Sequence, residues 1–340
     1  MVIGGGTGLS STLRGLKEYV PHPGETQPAR LPLIEVTAVV TVTDDGGSSG
    51  RLRRELDVLP PGDIRNCMVA LSEDETLLAR LFEYRFEGGT GLKGHSFGNL
   101  FLTALTHVTG DFAKAVSFSS EVLASRGKIF PSTSSNVTLE GVLENGKLVI
   151  GETNISRSRT PIRTIRLKPK KCKPLTDTLT AIAQADLICL GPGSLFTSVI
   201  PNLLVDGIPE AIRRSPARKA YFVNLMWQPG ETMDFKASDH VEALFRHSMP
   251  GLADTVVLNT RPITGSRRRR YAAQRVFPVQ NDYPRLAELG LRVVGRNLLA
   301  RGDKIRHLPQ ATAAVAVELA QEARASRLGI RGSVAMSAGY

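Results

Sequence analysis

The stretch VIGGGTGLSSTLRGL, residues 2–16, decides the fold class of this 340-residue chain. Two apolar residues lead into a run of glycines, after which Leu9, Leu13 and Leu16 recur at helical spacing. The pattern predicts a buried strand, a tight glycine turn and an amphipathic helix. The run LIEVTAVVTVT, residues 33–43, predicts a second strand. This order predicts an α/β fold: a Rossmann-like, doubly wound, mainly parallel sheet.

Later segments extend this pattern along most of the chain. The strand-like runs DLICLGP (186–192), AYFVNLM (220–226) and DTVVLNT (254–260) alternate with helical stretches. Between about 130 and 170 the sequence alternates in polarity and contains Asn145-Gly146, which predicts a small antiparallel β-hairpin excursion. We predict a single domain over residues 1–325 and a flexible tail over 326–340.

Composition indicates an ordinary globular protein, with 41% hydrophobic and 22% charged residues. No apolar run approaches the roughly 20 residues of a membrane span, and Met1 leads directly into the first predicted strand. We therefore expect a cytoplasmic protein. Cys67, Cys172 and Cys189 are widely separated, which favours neither a disulfide framework nor a zinc site.

The net charge of +11 is concentrated in two segments. Residues 151–173 carry +7 and residues 261–306 carry +9, so the rest of the chain is net negative. Such local patches suit the phosphates of a small ligand, an anionic lipid or an acidic partner. No aromatic interleaving or nucleic-acid-binding module accompanies them, so a nucleic-acid partner is not favoured.

Two glycine turns are candidate phosphate-binding loops. The first, GGGTG, joins a strand to a helix N-terminus, an arrangement that binds anions. Leu9 stands where the dinucleotide fingerprint has its third glycine, so a tight turn that only packs remains an alternative. The second, LGPGSLFTS (190–198), again follows a buried strand, with Thr197 as a further donor. On one edge of a parallel sheet the two turns would border one crevice. The candidate ligand-binding residues are Gly5, Gly6, Thr7, Gly8, Gly191, Gly193 and Ser194.

Asp44 and Asp45 follow the second predicted strand directly. One carboxylate at this position can accept a hydrogen bond from a ribose or sugar hydroxyl. The other can hold Mg²⁺ beside a diphosphate. Capping of the next turn is the structural alternative. The cluster Arg51, Arg53 and Arg54 fits either phosphates or an exposed helical face.

Two polar, glycine-containing segments precede apolar helices: PPGDIRNC (60–67) and GHSFGN (94–99). Asp63 and Ser96 are predicted helix N-caps. The candidate ligand contacts in these segments are Asn66, His95 and Asn99. His95 is either a general base or a structurally satisfied histidine, and spacing alone defines no catalytic triad.

Taken together, these motifs and the segment TVTDDGGSSGRLRREL (41–56) resemble the YvcK-type gluconeogenesis factors, from Val2 to about Ala320. Those proteins share a superfamily with 2-phospho-L-lactate transferase, CofD. The resemblance implies a UDP-N-acetylglucosamine pocket and roles in cell shape, cell-wall precursor control and gluconeogenic growth. It also implies that Tyr271 and Arg306 join the two turns and the Asp44–Asp45 pair in that pocket.

Two functions follow from the resemblance. The first is a regulatory protein that binds a UDP-sugar without turnover and signals to cell-wall precursor enzymes, with a homo-oligomer left open. The second is a CofD-like transferase that moves a phospholactyl-type group from an activated nucleotide, with Mg²⁺ on Asp44 and Asp45. Binding without turnover is our first interpretation. No catalytic residue is assigned, and Mg²⁺-dependent consumption of a nucleotide distinguishes the two.

Overall fold

Ten strands form two sheets within residues 1–21, 33–72 and 77–329, the part of the chain that the computed structural model describes. The strands are β1 (Val2–Gly4), β2 (Thr37–Val40), β3 (Lys128–Pro131), β4 (Thr138–Leu143), β5 (Leu148–Ile150), β6 (Ile162–Lys168), β7 (Leu187–Leu190), β8 (Arg218–Phe222), β9 (Thr255–Asn259) and β10 (Arg292–Arg296).

Helices connect the strands and flank the larger sheet. The α-helices are α1 (Gly6–Leu16), α2 (Gly47–Leu56), α3 (Gly62–Leu71), α4 (Leu77–Glu83), α5 (Phe97–Thr109), α6 (Phe112–Val122), α7 (Glu152–Arg157), α8 (Thr176–Gln184), α9 (Ile200–Leu203), α10 (Ile208–Arg214), α11 (Ala237–His247), α12 (Gly265–Ala272), α13 (Tyr283–Glu288) and α14 (Pro309–Arg327). A π-helical turn, Leu195–Val199, precedes α9.

The larger sheet is parallel throughout, in the order β10-β9-β8-β7-β1-β2-β3. Its central strand β1 pairs on one side with β2, where Val2 lies opposite Ala38, and on the other with β7, where Val2 lies opposite Cys189. All residues of β1 and β7 are buried, as expected for strands covered on both faces. The predicted doubly wound α/β fold is confirmed.

Helix α1 packs closely against α14 and α3. A Cβ atom on Gly15 would lie 2.2 Å from the carbonyl oxygen of Pro309, so only glycine allows this approach of α14. The predicted leucines Leu9, Leu13 and Leu16 are all buried on the inner face of α1. The first helix therefore follows the periodicity of its sequence.

The smaller sheet has the order β5-β4-β6 and is antiparallel, which confirms the predicted excursion. It begins later than about residue 130, because β3 continues the parallel sheet by pairing with β2. Gly146 adopts a positive φ of 81° in the predicted hairpin turn. On the outer strand, Arg166 pairs with the buried Glu140 at 2.7 Å.

The C-terminal helix extends slightly beyond the predicted domain boundary. Helix α14 continues to Arg327, whose guanidinium pairs with Asp186, so residues 326 and 327 are helical. Residues 330–340 of the predicted tail lie outside the described residues. All three cysteines are buried and free.

No single helix of the described chain has the length and apolar content of a membrane span. The bent pair Leu195–Leu203 and Ile208–Arg214, with 76° between its helices, meets the criterion by length and composition only.

Candidate functional site

The two glycine turns meet at the point where the strand order of the sheet reverses. Because β1 leads to β2 and β3 on one side and β7 lies on its other side, their carboxyl ends flank the topological switch point. A Cβ atom on Gly8 would lie 2.3 Å from the Pro192 carbonyl oxygen, so the turns are in direct contact. The structure thus brings together seven predicted residues: Gly5, Gly6, Thr7, Gly8, Gly191, Gly193 and Ser194.

An internal carboxylate occupies the first turn. The Gly6 N–H donates to Asp63 Oδ2 at 2.7 Å, although the two residues lie 57 positions apart. The prediction that Asp63 caps its own helix is wrong: Pro61 is the N-cap of α3, and the Asp63 side chain turns to α1. Burial and the charge of Asp44 raise the pKa of Asp63 to about 6, against the lowering effect of the Gly6 hydrogen bond.

A second internal carboxylate occupies the turn after β7. Glu231, 3% exposed, accepts hydrogen bonds from Phe196 N at 3.2 Å and from Thr197 Oγ1 at 3.0 Å. Ser156 Oγ on α7 also donates to it, at 3.2 Å. Burial raises the pKa of Glu231, although these hydrogen bonds oppose the shift. The Thr197 hydroxyl, a predicted phosphate donor, is therefore already used inside the protein.

The two adjacent aspartates have different partners. Asp44 Oδ1 accepts a hydrogen bond from Gly46 N at 2.9 Å, so Asp44 caps the turn that follows it, the structural alternative given above. Burial raises the pKa of Asp44. Asp45 Oδ1 accepts from Thr153 N at 2.9 Å and Thr153 Oγ1 at 2.6 Å. Asp45 thereby caps the first turn of α7 from 108 residues away and ties the smaller sheet to the end of β2.

Glu152, the first residue of α7, completes an acidic group around the switch point. Its pKa is raised to about 9, first by burial and then by the charges of Asp44, Asp63, Glu231 and Asp45. Glu152 is therefore protonated at neutral pH. The negative charge near the two turns therefore comes from the other carboxyl groups, among them Asp44 and Asp63, and it disfavours an unscreened phosphate.

One arginine approaches this acidic group. Arg53 on α2 donates to the Val137 carbonyl and to Thr138 Oγ1 at 3.2 Å, so it binds the connection into β4. Burial lowers the pKa of Arg53, while the charges of Asp45 and Asp44 oppose that shift. Arg51 instead donates to the Lys93 carbonyl at 2.7 Å.

His95 and Asn99 converge on one hydroxyl. Ser48 Oγ lies 2.9 Å from His95 Nδ1 and accepts from Asn99 Nδ2 at 3.1 Å. All three residues are buried, and burial, followed by the charge of Arg51, lowers the pKa of His95. Ser96 is the N-cap of α5, as predicted, and accepts from Asn99 N.

Asn66, the remaining candidate of these polar segments, lies on α3 next to Arg65. Its Oδ1 accepts from Arg65 Nη2 at 2.6 Å. Unlike His95 and Asn99, its side chain has no hydrogen bond to Ser48 among the described residues. Asn66 is only partly buried.

Tyr271 and Arg306 lie further along the same edge, beyond β8 and β9. The Tyr271 ring packs on the apolar cluster Leu225, Met226, Ile263, Val276, Leu299 and Ile305. Its hydroxyl accepts from Ile305 N at 3.2 Å. The Arg306 side chain is exposed. The residues that the resemblance assigns to the pocket are therefore spread from the switch point towards the end of β9.

Known proteins resemble this chain over nearly its whole length. The family model of 2-phospho-L-lactate transferase CofD matches residues 1–299. The chain belongs to the CofD family. The gluconeogenesis factor of Halalkalibacterium halodurans is 47% identical over 308 residues, 90% of this chain and 92% of that protein. The gluconeogenesis factor of Bacillus subtilis strain 168 is 44% identical over 322 residues, 94% of this chain and 98% of that protein.

A solved structure has the same architecture. It is a crystal structure of a upf0052 family member from Bacillus halodurans, with a TM-score of 0.86 and 46% identity. The match covers 93% of this chain and 97% of that chain. Within the CofD family, these relatives identify the chain as YvcK-type, as the sequence motifs predict.

The CofD-family crevice contains two carboxylates that sequence reasoning missed, Glu152 and Glu231. Glu152 follows β5 and the positive-φ Gly151, and Glu231 ends a turn that contains the positive-φ Gly230. These local features do not predict a position beside Asp44 and Asp63, which only the fold brings about. Among the described residues, no group of three or more His, Cys, Asp or Glu side chains is placed to hold a metal ion. The assignment of Mg²⁺ to Asp44 and Asp45 therefore stays a prediction.

Proposed function

We propose that this CofD-family protein is a cytoplasmic regulatory protein that binds UDP-N-acetylglucosamine at the carboxyl edge of the larger sheet. The observation that carries the proposal is the contact between the turns after β1 and β7, where Gly8 meets Pro192. Doubly wound sheets bind nucleotides at such a switch point. The gluconeogenesis-factor relatives favour a role in gluconeogenic growth. The roles in cell shape and cell-wall precursor control that we propose rest on the resemblance of the sequence motifs alone.

The acidic crevice indicates how a diphosphate would be accommodated. Because internal carboxylates occupy both turns, a diphosphate needs a cation to screen them. Mg²⁺ is commonly held by one or two carboxylates together with ligand phosphates. Asp44 and Asp45 are the predicted pair for this role, and Asp63 lies near enough for the charge of Asp44 to raise its pKa. Asp45 accepts both hydrogen bonds from Thr153 through Oδ1, so Thr153 does not occupy Asp45 Oδ2.

Arg306 offers the most direct test of the binding site. Its exposed guanidinium can grip a diphosphate through two N–H groups, and charge-assisted hydrogen bonds contribute about 1.5–3 kcal/mol. We therefore expect Arg306→Ala to weaken binding by about 10- to 100-fold without changing stability. Arg14→Ala is a matched control, because Arg14 is an exposed arginine in the last turn of α1.

The experiment is calorimetric titration of UDP-N-acetylglucosamine into wild type, Arg306→Ala and Arg14→Ala, each with Mg²⁺ and with EDTA. Binding that needs Mg²⁺, is weakened about 10- to 100-fold in Arg306→Ala and is kept in Arg14→Ala supports the proposal. Wild-type protein that does not bind would refute the nucleotide-sugar assignment.

The second candidate is a CofD-like, Mg²⁺-dependent transferase, which the match to the CofD family model favours. In that case Asp44 and Asp45 would hold Mg²⁺, which would neutralise the diphosphate. Chromatography of the nucleotide after incubation with Mg²⁺ distinguishes the candidates. Release of free nucleotide, with the transferred group passing to water or to an added hydroxyl acceptor, identifies a transferase. A ligand that stays intact with such an acceptor present supports the regulatory protein.

A further inference from the structure

The basic residues of segment 261–306 differ in whether they are paired. Of the twelve Lys and Arg side chains in this segment, Arg285, Arg292 and Arg296 form ion pairs with glutamates. The other nine have no carboxylate partner among the described residues. An ion pair cancels much of the field of its own cation, so the positive potential of this segment comes from the nine unpaired side chains.

Eight of the nine unpaired cations lie on one surface, the basic patch, which consists of residues 265–275 and 301–306. Helix α12 forms most of the first part. Arg267 and Arg270, about one helical turn apart, donate hydrogen bonds to backbone carbonyls of residues 300–303. These bonds attach one side of α12 to the second part of the patch. The eight cations therefore form one surface and not two separate ones.

The sequence of α12 is not explained by packing. No residue of this helix is buried, although Tyr271 packs on the apolar cluster described above. Arg268 and Arg269 are exposed and make no hydrogen bond through their side chains within the described chain. Like charges at neighbouring helix positions destabilise a helix, and Asp303 is the one acidic residue of the patch. We therefore look for a partner outside the chain that carries negative charge.

Large apolar side chains are exposed beside the basic patch. Phe277 follows Arg275 by two residues and is 38% exposed, and its ring contacts that of Trp227 with centroids 5.2 Å apart. Trp227 N donates to the Phe277 carbonyl at 2.9 Å, which holds the loop 227–236 next to the patch. Met233 in this loop is 41% exposed. Arginines beside an exposed aromatic ring are typical of surfaces that lie in the interface of a membrane.

We propose that the basic patch binds the surface of an anionic phospholipid membrane, with Phe277 in the headgroup region. Clusters of four to eight Lys and Arg residues bind anionic lipids in this way, because each cation gains from the surface potential without a fixed partner. A nucleotide diphosphate is met by a few cations, such as Arg306, and leaves Arg268 and Arg269 without a role. No nucleic-acid-binding module accompanies the arginines, which disfavours a nucleic acid. The inference is independent of the proposed function.

The test is co-sedimentation of the protein with vesicles of phosphatidylcholine, alone or mixed with phosphatidylglycerol. We expect binding to the mixed vesicles only, and its loss between about 0.1 M and about 1 M salt, where the screening length falls from about 10 to about 3 Å. Trp227 is the sole tryptophan, so its emission should shift to shorter wavelength when the patch meets the mixed vesicles.

Two double variants locate the membrane surface on the protein. Arg268→Glu/Arg269→Glu should weaken binding to the mixed vesicles at least about 20-fold, because each basic side chain near such a surface contributes about fivefold. The matched control is Arg213→Glu/Arg214→Glu, which changes two adjacent exposed arginines by the same charge. These end α10 just before β8 begins, at the opposite edge of the sheet from α12, and the control should bind like wild type.

Several results would overturn the inference. They are equal binding to the two kinds of vesicle, no binding at about 0.1 M salt, and equal weakening by both double variants, which would report net charge alone. Retention on duplex DNA at physiological salt without vesicle binding would identify a nucleic-acid surface instead. A loss in Lys170→Glu/Lys171→Glu but not in Arg268→Glu/Arg269→Glu would assign the membrane to the other basic segment, residues 151–173.

The vesicle assay and the nucleotide titration fail separately. Because Arg268 and Arg269 are not predicted pocket residues, their double variant should bind UDP-N-acetylglucosamine as wild type does. Protein that binds mixed vesicles but no nucleotide would refute the proposed function and leave the basic patch supported. The wild-type comparison of vesicles and salt concentrations tests the patch even where a variant does not fold.

Discussion

Replacement of Asp63 by asparagine is expected to stabilise the protein at neutral pH. The carboxylate of Asp63 is buried beside Asp44, and its pKa is raised from 3.8 to about 6. Asparagine keeps a side-chain oxygen that can accept the hydrogen bond from Gly6 N, while it removes the ionised group. The expected gain therefore comes from the loss of a buried charge, with the contact to the first turn retained.

The size of the effect follows from the raised pKa. Because the folded state binds the Asp63 proton more tightly than the unfolded chain, this group stabilises the fold at low pH. That contribution is fully present below 3.8 and is lost as the pH rises through about 6. At about 1.4 kcal/mol per pH unit, the loss amounts to about 3 kcal/mol, and Asp63→Asn avoids it.

The assay is urea unfolding followed by circular dichroism, from about pH 4 to about pH 7, in buffer with EDTA. Relative to wild type, Asp63→Asn should gain stability progressively across this range, whereas the exposed control Glu87→Gln should show no such trend. An Asp63→Asn variant that is less stable than wild type at neutral pH would show that the ionised carboxylate is favourable at α1. A difference that does not vary with pH would equally refute the raised pKa.

Two further predictions concern the contacts that hold the site together. Asp45→Ala removes both hydrogen bonds to Thr153, so we expect a loss of about 1–3 kcal/mol in urea unfolding and faster amide exchange in the smaller sheet. Gly8→Ala forces a Cβ atom to within 2.3 Å of the Pro192 oxygen and should cost at least about 1–3 kcal/mol, again by urea unfolding. Gly88→Ala is its control, since a Cβ there meets nothing within 4 Å.

The local sequence pattern was sufficient to predict the fold and the two glycine turns that meet at the switch point. The spacing of Leu9, Leu13 and Leu16 defined α1, and the glycine run before it marked the turn at the end of β1. A general rule about parallel sheets then brought the turns after β1 and β7 to one edge, where Gly8 and Pro192 meet. The residues at this switch point could be named because periodicity and turn chemistry are local properties.

The partners of the acidic residues could not be predicted in the same way. Asp63 resembled a helix cap in sequence, yet its carboxylate bonds Gly6, 57 residues away. Asp45 was expected near a ligand, and it caps the helix of Thr153, 108 residues away. Glu231 gave no local signal, because its burial and its hydrogen bonds depend on packing between distant segments. Tertiary contacts of this kind cannot be predicted from the spacing or the secondary-structure propensity of residues.

The position of β1 at the centre of the larger sheet also has a consequence for biosynthesis. Val2 pairs with Ala38 early in translation, but its other neighbour, Cys189, follows 151 residues later. At roughly 5–20 residues per second, the ribosome needs about 8–30 s to supply that partner. Until then β1 is an apolar edge strand whose second side has no partner, the kind of surface on which nascent chains associate. We therefore expect a chaperone that binds the nascent chain to act mainly on this N-terminal segment.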